Sequence, residues 1–277
     1  MGGETFVISG PMTDSSLWQW QTWQEKPYLT CQLLASWPHG FFTQHFAPQT
    51  PETLVMALDP QAKVFRVKQV HGNTVLTPQE IAHEMHQGDS EAILPGADGV
   101  LSDQARQAVW VASADCTPAL IGDVTTGQVA AVHAGWRGTA QRILPVTVQR
   151  FLTNGSQLAD LRVALGPAIS GEVYQVHRQV ALAVGKSTQD PGDADLAEDV
   201  YLAGLMTLAE PPLLPDTKPD HYRLDVRCIN QLQLTNLGLK PEQLSIAPYC
   251  TYKNPDHFFS YRRTGAKNVQ WSGIVSL

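Results

Sequence analysis

The sequence predicts an α+β fold. Strand-like and helix-like segments are mixed without a regular βαβ alternation, two apolar runs meet at a short turn, and Pro and Gly punctuate turns with no internal repeat or low-complexity tract. In chain order, KVFRVKQV (63–70) alternates and is β-rich, which predicts a strand. AVWVASA (108–114) predicts an apolar strand, and ALIGDV (119–124) with QVAAVHA (128–134) flank TTG as a hairpin. From Arg137 to Leu152 the residues Ile143, Leu144, Val148, Phe151 and Leu152 recur at helical spacing, with Asn154-Gly155 as the stop. Pro145 is expected to bend this helix or shorten its first turn. LRVALGPAI (161–169) predicts another strand. KSTQDPGDADLAED and AEPPLLPDTKPD predict solvated loops around a short helix (197–208), the region least suited to chemistry. DVRCINQLQLTNLGL (225–239) predicts a helix with Asp225 near its start and Gly238 at its end.

A chain of 277 residues that is 43% hydrophobic can bury a substantial core, and the absence of a linker predicts a single domain over 1–277. The formal charge is −7, with Lys and Arg scattered, so neither a nucleic-acid nor an anionic-membrane surface is expected. The partner class is a small molecule. The first residues carry no basic segment followed by a long apolar one, and no apolar run approaches about 18 residues. A soluble cytoplasmic protein is expected, as a monomer or small homo-oligomer. Cys31, Cys116, Cys228 and Cys250 lie far apart with no CxxC pair, so they are read as free thiols.

His71 in KQVHGNTV, Cys116 in ASADCTPAL and His133 in AVHAGWRG each fall at or just beyond a predicted strand end. Two imidazoles and a thiolate suit Zn²⁺, and three protein ligands leave the fourth tetrahedral position open. The same residues could form a thiol nucleophile with a histidine base. Spacings of 45 and 17 residues are no zinc signature by themselves, and each residue could equally be an ordinary half-buried one. In GWRG, Gly135 and Gly138 relieve crowding at a strand-to-helix junction where Arg137 and the turn amides could hold phosphate; the bland alternative is a plain turn with Trp136 in the core. Tyr261, Arg262 and Arg263 could stack on a base or bind phosphate, although vicinal arginines are common on solvated faces. HEMH (83–86) is shorter than a zinc-protease HExxH and reads as a solvated helix or loop. GxGxxG, Walker and GxSxG motifs are absent, which disfavours nicotinamide enzymes, P-loop nucleotidases and α/β-hydrolases.

Together these residues resemble the laccase-domain or YfiH-like family, whose members are known both as polyphenol oxidases and as purine nucleoside phosphorylases. The resemblance runs through HGFFT (39–43), QVHGNTV (69–75), ADGVLSD (97–103), ADCTPALIGD (114–123), AVHAGWRGTA (131–140), LGPAIS (165–170), YRLDV (222–226), CTY (250–252) and FFSYRRTG (258–265). Segments 1–30 and 184–220 lie outside it as variable regions.

The resemblance implies layered mixed β-sheets flanked by helices, as in a bacterial toxin deamidase domain, and Zn²⁺ on His71, Cys116 and His133, with Cu²⁺ as a second candidate ion. It also implies phosphorolysis of adenosine, inosine, guanosine and methylthioadenosine to base and (methylthio)ribose 1-phosphate, and deamination of adenosine. In deamination the metal would activate water for attack on the carbon bearing the amine, with Asp115 relaying the proton. In phosphorolysis Arg137, the turn amides around Gly138 and Arg262 would hold phosphate while it attacks the anomeric carbon, with Tyr261 and position 44 beside the substrate. Gln44 stands where members commonly carry an arginine suited to binding phosphate, so weaker phosphorolysis is expected; the tail also departs, with Thr264 where aspartate is usual. Peptidoglycan-precursor editing is an alternative activity within the family. Copper-dependent phenol oxidation ranks lower, because a multicopper site is usually fed by HxH pairs and none of the nine histidines forms one. A metal-free Cys-His hydrolase and a non-catalytic module with a closed zinc site complete the alternatives.

Overall fold

The apolar runs of the sequence form the middle of two six-stranded mixed sheets. The structure is a computed structural model and describes residues 15–86, 94–189 and 197–277. The first sheet runs Trp18–Trp23, Lys26–Cys31, His39–Phe42, Gln270–Val275, Gln107–Ser113 and Lys63–Phe65, with only the last pair parallel. The second runs Leu244–Ile246, Leu161–Leu165, Thr117–Asp123, Val129–Ala134, Gly99–Leu101 and Val75–Leu76, parallel only at its two edge pairs.

Period-two alternation explains how these strands stack. Val109 and Val111 face inward with Phe41 and Ile274, against Leu120, Val129 and Ala131 of the second sheet. Their neighbours Ala108 and Trp110 point the other way, into a cluster with Phe42, Phe46 and Leu54. On the far side of the second sheet, Ala130, Val132 and Ala134 meet Ile143, Leu144, Val148, Phe151 and Leu234 from two helices, Ile143–Thr153 and Val226–Asn236. His133 therefore follows Val129 and Ala131 on the face toward the first sheet, at the strand's end.

A third sheet, Gln175–His177, His221–Leu224 and Leu213–Pro215, is antiparallel. It shares a separate cluster with the helices Arg178–Lys186 and Glu198–Met206. No helix among the described residues is long and apolar enough to cross a membrane.

The hairpin expected at 119–134 is present: Asp123 accepts the N–H groups of Thr125 and Thr126, and Gly127 takes φ 72°. The helix starting near Asp225 is capped by that carboxylate, and Gly238 takes φ 102° beyond its end. HEMH closes the helix Pro78–His86, with His83 and Glu84 exposed. Three expectations need correction. The strand at 63–70 stops at Phe65: beyond it only Lys68 pairs, in an isolated parallel bridge to Gly96, and the Val70 amide turns to a carboxylate instead of a neighbouring strand. The single helix over 137–152 is two helices, Trp136–Ala140 and Ile143–Thr153, separated at Arg142, whose φ is 60°. Pro145 then sits in the first turn, where the missing N–H has no intrahelical partner to lose. The segment AEPPLLPDTKPD is not all loop: Leu213–Pro215 is an edge strand anchored by fully buried Leu213, and an edge tolerates proline.

Candidate metal centre

His71, Cys116 and His133 come from three separate segments, and one ligand atom of each lies within 4.8 Å of the others. The two imidazoles stand nearly perpendicular, 82° apart, with ring centroids at 4.9 Å. His133 is set by its strand, and Cys116 stands immediately before Thr117–Asp123, on the opposite arm of the hairpin. His71 is fixed by its backbone, at φ 61°. The residue that joins these segments is Asp98, fully buried just before Gly99–Leu101. Its carboxylate accepts the N–H groups of Val70, His71 and Gly72 at 3.2, 2.9 and 2.6 Å, and pairs with His133 Nδ1 at 2.9 Å. Its carbonyl accepts the His133 N–H at 2.7 Å. One side chain thus fixes the loop that carries one histidine and the ring orientation of the other, turning Nε2 of His133 toward Cys116, where it could hold a metal once its proton is lost.

The electrostatics agree with a metal-ligating thiolate. Burial alone would raise the Cys116 pKa, but hydrogen bonds from His133 and His71 and their charges bring it down to about 6. Burial alone would lower that of His133, yet the bond to Asp98 and the neighbouring Cys116 push it up to about 9. The donor set of thiolate and two imidazoles fits Zn²⁺, and the spacing is compatible with a tetrahedral site whose ligand atoms stand about 3.3–3.6 Å apart. Among the described residues this is the one such group, and it offers three ligands.

Gly135 closes the floor of the centre: a Cβ there would lie 2.9 Å from Cys116 Sγ and 3.5 Å from the His71 ring. Gly138 is equally constrained, with Gly72 O only 2.7 Å from a Cβ position. Gly135→Ala is expected to reduce bound metal at least about tenfold while shifting the unfolding midpoint by only a few degrees. Elemental analysis beside a thermal melt checks this, and full metal occupancy would refute it.

The other expected site residues divide into two groups. Asp115, at φ 81°, uses both carboxylate oxygens, one on Thr251 Oγ1 and one on the Arg262 N–H, each at 2.7 Å. It thereby ties the Tyr261–Thr264 turn to the residue before Cys116. The Arg262 guanidinium lies over the Tyr174 ring, 4.7 Å from its centroid, and donates one hydrogen bond to Gln175 O. Arg137 is exposed, lies 4.4 Å from the centroid of the Trp136 ring, and hydrogen-bonds no acceptor among the described residues. Arg263, by contrast, is consumed by the carbonyls of Thr251, Tyr252 and Phe258. Tyr261 is exposed, and Gln44 is tied away to Pro255 O and His257 O. Asp98 and Tyr174 were not among the expected site residues. Asp98 had one usable signal, a carboxylate inside the apolar run Ala97–Leu101, where an unpaired charge is rarely buried. Tyr174 had none.

A thiol and two histidines gathered at the ends of strands in stacked mixed sheets make a donor set suited to a metal ion. The family described as multi-copper polyphenol oxidoreductase laccase is matched by residues 49–276, and the chain belongs to it. It is 58% identical over 260 residues to purine nucleoside phosphorylase slr1573 of Synechocystis sp., covering 94% of this chain and 97% of that protein. It is 27% identical over 198 residues to adenosine deaminase RL5 of an unknown prokaryotic organism, covering 72% and 69%. The crystal structure of YlmD from Geobacillus stearothermophilus superposes with a TM-score of 0.74 at 25% identity, covering 93% of this chain and 98% of that one.

Proposed function

We propose that the protein is a zinc-dependent purine nucleoside phosphorylase acting in the cytoplasm on adenosine, inosine, guanosine and methylthioadenosine. The observation that carries this reading is the pairing of a three-ligand centre with two arginines whose guanidinium groups rest on aromatic rings and keep free N–H groups. Four free cysteines agree with a reducing compartment. The relative at 58% identity bears the phosphorylase name.

His71, Cys116 and His133 would hold zinc, which would supply Lewis acidity when bound. Asp98 holds His133 in the ligating tautomer, and Gly135 leaves room for the thiolate. Arg137 and Arg262 bind phosphate and hold it in line with the anomeric carbon, so that a C–O bond forms as the C–N bond to the purine breaks. The departing electron pair goes to the purine ring. Asp115 acts through structure here, because its carboxylate positions the backbone of Arg262. Gln44 contributes no charge, so phosphate affinity rests on those two arginines.

Adenosine deamination is a second reading, favoured by the ligand count: a three-ligand group leaves a position for water. The same count disfavours phenol oxidation, since a multicopper mechanism needs a further cluster fed by histidines. Purified protein is expected to carry about one zinc per chain. With adenosine and phosphate it is expected to release adenine and ribose 1-phosphate, and without phosphate inosine alone. Zinc without turnover of any of the four nucleosides would overturn the phosphorylase reading.

A further inference from the structure

Tyr174 stands at the end of a loop that grows out of the centre. Gly166 donates to Pro118 O at 2.8 Å and Ile169 to the carbonyl of Asp115 at 3.0 Å, so the loop begins on the two residues that flank the pair Cys116-Thr117. The Tyr174 N–H donates to Ser170 O at 3.1 Å, and its carbonyl accepts from Leu224 at 3.0 Å. Its backbone is therefore fixed on both sides. Its half-buried ring packs against the same apolar cluster as Trp136, and Arg262 lies over its face. Arg262 is in turn held by Asp115. The phenol thus stands under Arg262 and near enough to Cys116, Asp115 and Arg137 to feel their charges, yet among the described residues its hydroxyl makes no hydrogen bond.

We propose that the Tyr174 hydroxyl contacts the nucleoside, donating a hydrogen bond to substrate held between the two arginines and the His71, Cys116 and His133 group. This rests on the phosphorylase reading. Chiefly through burial, and then through the charge of Cys116, the phenol is pushed up to about 12. It therefore keeps its proton, and stays a donor, throughout the neutral range. The ring has a separate task as the platform for Arg262, which lets the two contributions be separated by substitution.

Tyr174→Phe keeps the platform and removes the hydroxyl, whereas Tyr174→Leu removes both. With zinc content and unfolding midpoint measured alongside, Tyr174→Phe is expected to lower kcat/KM for adenosine about 10–100-fold and leave KM for phosphate unchanged. Tyr174→Leu is expected to raise KM for phosphate as well. Wild-type kcat/KM in Tyr174→Phe would overturn the proposal, as would an equal rise in KM for phosphate in both variants. If the wild type turns over no nucleoside, the phosphorylase reading fails by itself, and calorimetric binding of adenosine then decides on Tyr174. Weaker binding by Tyr174→Phe upholds the contact; equal binding, or none by the wild type, removes it.

Discussion

Asp98→Ala is expected to destabilise the fold by about 3–5 kcal/mol and to weaken metal binding about 10–100-fold. The carboxylate is fully buried and serves buried His133 and three part-buried backbone amides, so removing it leaves four polar groups without their acceptor. Asp98→Asn keeps the shape but presents an NH₂ group to donors, and it should fall between wild type and alanine. Urea unfolding and competition with a chromogenic chelator check both numbers. Burial would raise the Asp98 pKa, but hydrogen bonds from His133 and Gly72 hold it below the ordinary 3.8. Such a depressed carboxyl contributes stability above its unfolded pKa and loses it as pH falls through the folded value. The contribution is therefore flat across neutral pH and disappears only in strong acid. His133, raised to about 9 by the same pair, gives up its own share as pH rises from about 6.5 to 9, so a wild-type stability profile with no fall below pH 4 would contradict the Asp98 account.

Cys116→Ala is expected to abolish stoichiometric zinc and to lower phosphorolysis at least about 10²–10³-fold, with stability changed by about 1 kcal/mol or less. A related prediction concerns protons. With Cys116 near 6 and His133 near 9, the metal-free protein at pH 7.5 holds a thiolate beside an imidazolium. Zinc must displace the His133 proton, so loading should release about one proton from this pair at pH 7.5. Release should fall toward zero well above pH 9 and gain the Cys116 proton below about pH 6. Calorimetry in buffers of different ionisation enthalpy measures it, and pH-independent release would refute it.

Much of this architecture was legible because period-two patterns and turn residues act locally. The hairpin that brings Cys116 and His133 together could be read from its two apolar arms and their turn, and the helix after Asp225 from its cap and closing glycine. The three candidate ligands were visible as chemistry at strand ends. Their convergence was not, because it depends on Asp98 reaching across to the 70–72 amides, a contact between segments that no local period encodes. The same bond pattern removed the end of the expected 63–70 strand, whose residues have β propensity but find only one isolated bridge, Lys68 to Gly96. The break at Arg142 was hidden for a different reason: its neighbours keep helical spacing on both sides, so the apolar pattern passes through a residue whose backbone does not. The third sheet was missed because its strands are three or four residues long and hold charged side chains and proline.

The strand Gln270–Val275 lies in the interior of the first sheet, between His39–Phe42 and Gln107–Ser113. A ribosome makes the chain from the other end, so both neighbours emerge more than 150 residues before the strand that joins them. Until then two sheet edges with buried aromatic residues stand open, which is the arrangement that invites pairing with a second nascent chain. Completion is a late, long-range closure and should be slow. Translation that stops short of residue 270 therefore yields a polypeptide with most of the scaffolding of the candidate metal centre but an unclosed sheet, and its fate is set by chaperones and proteases.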